Sequence, residues 1–235
     1  GGANYDIPIA VPPGINGIVP EVFLSYNSQS GNGVAGYGWN ISGVSTISRI
    51  PASKFHDNQI DGVDFDSLDR FALDGERLIL KSGTYGANGA QYDTEKHSNL
   101  RITSHGTSSF GATYGPAYFV VKYPDGSIAR YGDSDDSLSR LTYAITYWEN
   151  PQGIRISYEY NNERSHQSIS KIKYGGLNSN TPINEIRFLY QKNRERKEQA
   201  FVNNISLRNN LILSSIEVHG NGARHRSYEL THNNT

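Results

Sequence analysis

The second half of the chain alternates between apolar and polar positions. In Ile154-Arg155-Ile156-Ser157-Tyr158-Glu159-Tyr160 every even position is apolar or aromatic, the two-residue period of a strand with one buried face. Ile172 and Tyr174 repeat the pattern after Ser168-Ile169-Ser170, and Ile186, Phe188 and Tyr190 repeat it again. Tyr158, Tyr174 and Tyr190 fall 16 residues apart each time. Ile212, Ile216 and Val218 outline another strand face, and Tyr228 with Leu230 a last one. Turn material separates these runs: Asn161-Asn162, Gly175-Gly176-Leu177-Asn178 and His219-Gly220-Asn221-Gly222. Strand-turn-strand units at this spacing predict an antiparallel meander or a coiling sheet.

The first half is less regular. Pro124-Asp125-Gly126 predicts a hairpin between strands at 118–123 and 127–131, and Asp74-Gly75-Glu76 a second between 71–73 and 77–80. Residues 81–99, rich in Gly, Ser and Asn, read as a loop. Residues 1–20 hold four of the nine prolines, at 8, 12, 13 and 20, and are expected to be extended and partly irregular. Val22 to Tyr26 alternates as a strand. A Gly-rich turn, the cluster Gly36-Tyr37-Gly38-Trp39 and a β-rich run from Ile41 to Ile50 follow. Gly31, Gly33, Gly36 and Gly38 free the backbone for positive φ or close approach. Trp39 is expected to bury its ring beside them as an anchor. Further strands are expected near 141–147, 154–160, 169–174, 184–190, 211–218 and 226–231. The sign-alternating run at 193–198 reads as a solvated turn or a short helical excursion. No segment shows sustained helical spacing, so the fold class is all-β. The chain reads as three segments, 1–50, 51–140 and 141–235, within one continuous unit.

Charge and composition narrow the partners. With 22 Lys+Arg against 23 Asp+Glu the net charge is -1, too balanced for nucleic acid or an anionic membrane surface. No run reaches the roughly 18 apolar residues of a membrane-spanning helix. No basic n-region with an apolar h-region opens the chain. The chain has no Met and reads as a processed product or an excised piece. Zero Cys removes disulfides, thiolate catalysis and Cys-based zinc sites.

Candidate chemistry is sparse. Gly31-x-Gly33-x-x-Gly36 matches the dinucleotide fingerprint, but that motif needs a helix N-terminus after it to hold pyrophosphate. Gly38, Asn40 and Gly43 follow instead, so a structural turn is expected. Asp57, Gln59, Asp61 and Gly62 suit the first half of a calcium loop, but position twelve is Leu68, where a bidentate Glu is needed. Asp57, Asp61, Asp64 and Asp66 stay as a weak metal candidate. The seven histidines form no zinc spacing, and no G-x-S-x-G elbow is present. Distant carboxylate pairs of glycosidase type remain open, with nothing selecting a pair. The expectation is therefore no catalytic residues and no cofactor; a hydrolase would need a pocket of converging ionisable groups.

One resemblance is specific. Ile7-Pro8-Ile9, Val11-Pro12-Pro13-Gly14, Pro20, Leu24-Ser25-Tyr26-Asn27-Ser28, Ser30-Gly31-Asn32-Gly33, Gly36-Tyr37-Gly38-Trp39 and Ile47-Ser48-Arg49 resemble the start of the SpvB-type domain. That domain opens the Salmonella plasmid virulence B protein and the B components of insecticidal Tc toxin complexes. The similarity continues more loosely through 68–75 and 123–131, and to the end. The turn at 148–153 with Tyr158 and Tyr160, and the later Tyr174 and Tyr190, resemble degenerate YD repeats of Rhs proteins; the Asp and Gly-Asn of that turn are not kept.

The resemblance implies a non-enzymatic part of a β-shell that encloses or helps deliver a toxic C-terminal domain. In the family, enzymatic activity, such as that of an ADP-ribosyltransferase, belongs to separate C-terminal domains. Its implied partners are the remainder of its own toxin chain or a partner shell subunit, with no nucleic acid and no membrane insertion by this segment. Its implied location is the cytoplasm of the producing bacterium, then outside it as part of a secreted toxin. The alternative is a cell-surface or glycan-binding β module. Exposed aromatics on a polar rim would favour binding, and aromatics buried against neighbouring strands would favour the shell.

Overall fold

The computed structural model describes residues 2–96, 98–163, 166–177, 181–192, 198–203 and 205–233. The proline-punctuated opening folds into short strands: β1 (Asn4–Pro8), β2 (Phe23–Asn27), β3 (Asn32–Gly33), β4 (Gly36–Tyr37) and β5 (Trp39–Ser42). They form one antiparallel sheet in the order β1-β2-β5-β4-β3, with Ile7 opposite Leu24 and Leu24 opposite Ile41. Of residues 1–20, expected to be extended and partly irregular, the extended part is β1; the Pro that ends it lies at the end of an edge strand, where a missing N–H costs little.

The next eight strands close on themselves. They are β6 (Thr46–Ile50), β7 (Arg70–Leu73), β8 (Glu76–Ser82), β9 (Gln91–Thr94), β10 (Arg101–His105), β11 (Tyr118–Lys122), β12 (Ile128–Tyr131) and β13 (Thr142–Glu149). Neighbours from β6 to β12 pair in chain order, and β13 then pairs with both β12 and β6. A barrel of eight strands is just wide enough to be filled by side chains. Phe71, Phe119 and Tyr143 meet edge-on inside it, with ring centroids 5.0–5.8 Å apart. Both expected hairpins, at Asp74-Gly75 and Pro124-Asp125-Gly126, are turns of this barrel. β9 corrects the expected loop at 81–99: Tyr92 is fully buried and pairs with Leu80 and Ile102. Among the described residues the α-helix is one turn, α1 (Lys54–Asp57), where the Ser53 hydroxyl accepts from the His56 N–H as an N-cap.

From β13 the sheet runs on. β14 (Ile154–Glu163), β15 (His166–Leu177) and β16 (Asn184–Lys192) precede a separate two-stranded hairpin, β17 (Glu198–Val202) with β18 (Ile205–Asn209). β19 (Leu211–Gly220) and β20 (Ala223–Glu229) follow. The order β13-β14-β15-β16-β19-β20 ends at β20. β17 starts at Glu198, where a turn or helix was expected; residues 193–197 lie outside the described residues.

Bulges set the curvature and the facing of these long strands. Ser170 is an extra residue on β15, because Glu159 pairs with Lys171 while Tyr160 pairs with Ile169. Ile169 and Ile172 can therefore both point inward despite opposite parity. Ser214 does the same on β19, between the pairs Leu189–Ser215 and Tyr190–Leu213. This corrects the simple alternation read from Ile212, Ile216 and Val218. Leu211 and Leu213 are buried with Ile216 and Val218, while Ile212 is only half-buried.

Candidate functional site

The opening motif clamps the repeat strands. The Tyr174 hydroxyl donates to the Pro12 carbonyl (2.8 Å) and Asn184 Nδ2 to the Pro13 carbonyl (3.2 Å). The Ala10 N–H donates to the Tyr228 hydroxyl (2.9 Å). At Gly14 a Cβ would lie 1.8 Å from the Ile18 carbonyl oxygen, so the turn after Pro12-Pro13 admits only glycine. Asn27 Oδ1 accepts from the Gln29 N–H (2.8 Å) and holds the turn after β2. Gly38 has φ 77°, and a Cβ there would come within 2.6 Å of the Tyr26 ring. That ring leans on Trp39 at 5.2 Å. Trp39 is partly buried against the core rather than enclosed. Gly33 and Gly36 face each other across the β3–β4 hairpin while the Gly31 carbonyl accepts from Gly38. A strand follows the glycine pattern where a nucleotide site would need a helix N-terminus.

Arg49, the end of the motif, is a hub at the barrel. Its Nη1 meets Asp69 Oδ2 at 3.0 Å with side-chain exposures of 2% and 0%. Its Nε donates to the Arg140 carbonyl (2.7 Å) and its Nη2 to the Tyr114 carbonyl. Its guanidinium lies 5.2 Å from the centre of the Phe71 ring. Asp69 also accepts from the Asp64 and Phe65 N–H groups, at 3.1 and 3.0 Å. One ion pair thus ties the 64–69 loop and the loops around Tyr114 and Arg140 to β6.

The acidic loop divides. Asp57 leaves the candidate metal set: it pairs with Arg70 Nε at 2.6 Å and Arg77 Nη1 at 3.1 Å. Burial alone would raise its carboxyl, but the Ser53 N–H and the two arginines hold it below its ordinary value. Asp61, Asp64 and Asp66 come together with carboxylate oxygens within 4.8 Å of one another. Among the described residues Asp61 Oδ2 and Asp64 Oδ1 have no hydrogen-bond partner. Loss of solvent, then the charges of Asp66, Asp61 and Asp69, push the Asp64 carboxyl up. Half-exposed acidic clusters of this kind are common without an ion, and Leu68 stands exposed where a calcium loop would place its bidentate Glu.

The repeat tyrosines lie inside. Tyr158 and Tyr174 are buried, and Tyr160 and Tyr190 pack partly buried against the core. The hydroxyls of Tyr160 and Tyr190 each donate to a main-chain carbonyl, Ile145 and Ile169, both at 2.7 Å. On the opposite face, polar side chains pair within and across strands: Arg155 with Glu149 (2.8 Å), Lys173 with Glu159, and the His219 ring with Glu217 (2.9 Å). At the end of the sheet, β20 carries Arg224, His225 and Arg226, and almost all of it is exposed. Among the described residues no strand pairs with its outer side.

A closed eight-stranded barrel running into an open antiparallel sheet, clamped by a Pro-Pro-Gly arm, defines an all-β domain. The profile described as "SpvB: Salmonella virulence plasmid 65kDa B protein" matches residues 1–210, and the chain belongs to that family. Curated protein sequences give no match. The N-terminal domain of effector protein SpvB from Salmonella typhimurium superposes with TM-score 0.68 at 18% identity, over 91% of this chain and 87% of that one. The TcdB2-TccC3-Cdc42 crystal structure gives TM-score 0.70 at 16% identity. The Photorhabdus luminescens Tc holotoxin pore gives 0.70 at 15%. Each covers 94% of this chain, and this chain spans 13% of theirs. At such identities the shared property is the fold.

Proposed function

We propose that this chain is a non-enzymatic segment of a bacterial toxin's β-shell, which encloses or helps deliver a toxic C-terminal domain. The observation that carries the reading is the asymmetry of the sheet. The barrel end closes on itself, while the other end stops at β20 with an unpaired edge among the described residues. Such an edge is a template for a further strand. In this reading the strand comes from the remainder of the toxin chain or from a partner shell subunit, and the assembly acts outside the producing cell. The burial of Tyr158 and Tyr174 supports a wall-building role over display of these rings to a ligand. The likeness to TcdB2-TccC3 structures supports it too.

The test is co-expression of this chain with the rest of its shell, followed by size-exclusion chromatography. The expected result is a stable complex, and a chain that is more associative and less soluble alone. A chain that stays monomeric beside its partner, or that turns over NAD, nucleotides or glycosides in a manner lost on mutating one carboxylate or histidine, would overturn the reading.

A further inference from the structure

A cleft of about 820 Å³ opens at one end of the barrel, between the loop that joins β10 to β11 and the loop that joins β12 to β13. Ile205 of β18 contributes to its lining. This is the size of a small-molecule site, and neither the clamp nor the Arg49 ion pair fills it.

Its lining has a definite chemistry. The Arg140 guanidinium lies 5.5 Å from the centre of the Phe110 ring and 5.9 Å from that of Tyr114, a stacking that orients its fork of donors. No carboxylate of the described residues pairs with it. The two acidic residues of the cleft are engaged: Asp133 takes Arg130 Nη1 at 2.7 Å, and Asp135 has a partner of its own. Tyr118 is stacked on His105 at 5.0 Å and lies under Arg130 at 5.4 Å, so it offers an edge and a hydroxyl rather than an open face. Phe110 is 39% exposed, and the exposed hydroxyls of Thr107 and Ser109 flank it. Ser139, on the opposite lip, is held by Thr142 at 2.7 Å.

We propose that this cleft binds a saccharide bearing a carboxylate. The unpaired, preoriented Arg140 suits a carboxylate, which it can take through two parallel N–H bonds. Phe110 offers an apolar ring to the C–H face of a sugar, and Thr107 and Ser109 match its hydroxyls. A peptide carboxylate would use Arg140 alone and would leave those two hydroxyls without partners.

The experiment is a nuclear magnetic resonance titration of the intact chain with four probes: methyl glucuronide, N-acetylneuraminic acid, neutral methyl glucoside, and N-acetyl-dialanine as a peptide carboxylate. The expected result is saturable binding of at least one acidic sugar, with shifts at the cleft, and weaker binding of the neutral sugar and the peptide. Arg140→Gln should weaken the acidic sugar on the order of tenfold or more, the size of one lost charge-assisted contact. The bond from Arg49 uses the main chain of Arg140, so that link survives the substitution. Phe110→Ala, at an exposed ring, is a second variant that should weaken binding with the thermal midpoint kept. Absence of saturable binding by both acidic sugars would overturn the proposal. So would equal affinity for the neutral sugar, an equal or tighter peptide, or indifference to both substitutions.

Discussion

At the scale of single residues, the motif positions act through geometry. Gly38 combines a left-handed backbone with a Tyr26 ring 2.6 Å from where a Cβ would sit. Gly38→Ala is expected to lower stability by about 2 kcal/mol, the sum of αL strain and overpacking, read as a shift in the urea midpoint. Trp39, half-buried, is expected to lose less on truncation to Ala than the ~3–5 kcal/mol of an enclosed aromatic. Arg49 is the more severe position. Arg49→Met leaves the Asp69 charge buried without its partner, and removing one member of such a pair costs about 3–5 kcal/mol. Adding Asp69→Asn to that variant is expected to recover part of the loss, since the neutral amide can still accept from the Asp64 or Phe65 N–H. A double variant no better than Arg49→Met in thermal unfolding would show that the ion pair is not the source of the cost.

At the scale of elements, period-2 patterning made most strands legible. The runs at 154–160 and 184–190 begin at the same residues as β14 and β16, and both Asp-Gly hairpins were readable from their turns. What alternation could not show is where it breaks. A bulge is set by pairing with the next strand, so Ser214 carries no local mark that it shifts Leu211 and Leu213 inward. Leu213→Ala should therefore cost about 2–5 kcal/mol and Ile212→Ala distinctly less, and equal thermal shifts would contradict the bulge. β9 was hidden for a related reason. Gln91-Tyr92-Asp93-Thr94 is short and polar, and only burial of Tyr92 between β8 and β10 makes it a strand. Of the candidate site, the Asp61, Asp64 and Asp66 cluster was visible as a charge run. The diversion of Asp57 was not, because Arg70 and Arg77 reach it from neighbouring strands. The cleft at Arg140 left no sequence signal, being assembled from loops far apart in the chain.

At the scale of the whole molecule, the tyrosine-rich interior couples stability to alkaline pH. Burial pushes Tyr143 and Tyr174 up to about 12 from an ordinary 10.0. It raises Tyr85, Tyr131, Tyr158, Tyr160 and Tyr190 as well. Unfolded, these phenols lose their protons near the ordinary value, so the unfolded state binds fewer protons at higher pH. Stability is complete below pH 10 and falls as pH rises through about 12. The phenolate absorbance of these buried rings should then appear together with the loss of the sheet's circular dichroism. Titration of Tyr143, Tyr158 and Tyr174 with the sheet still intact would contradict their burial. Closure of the ring has a different consequence, in time rather than in energy. β6 finds its second neighbour only when Tyr143 comes to lie beside Ile47. A chain emerging from the ribosome can add β7 to β12 one by one, yet one side of β6 waits through all of that synthesis. Distant pairings of this kind are slow to form, and an unsatisfied strand edge can accept the same strand from another copy. The error this topology invites is an exchange between two nascent copies, β6 of each closing on β13 of the other.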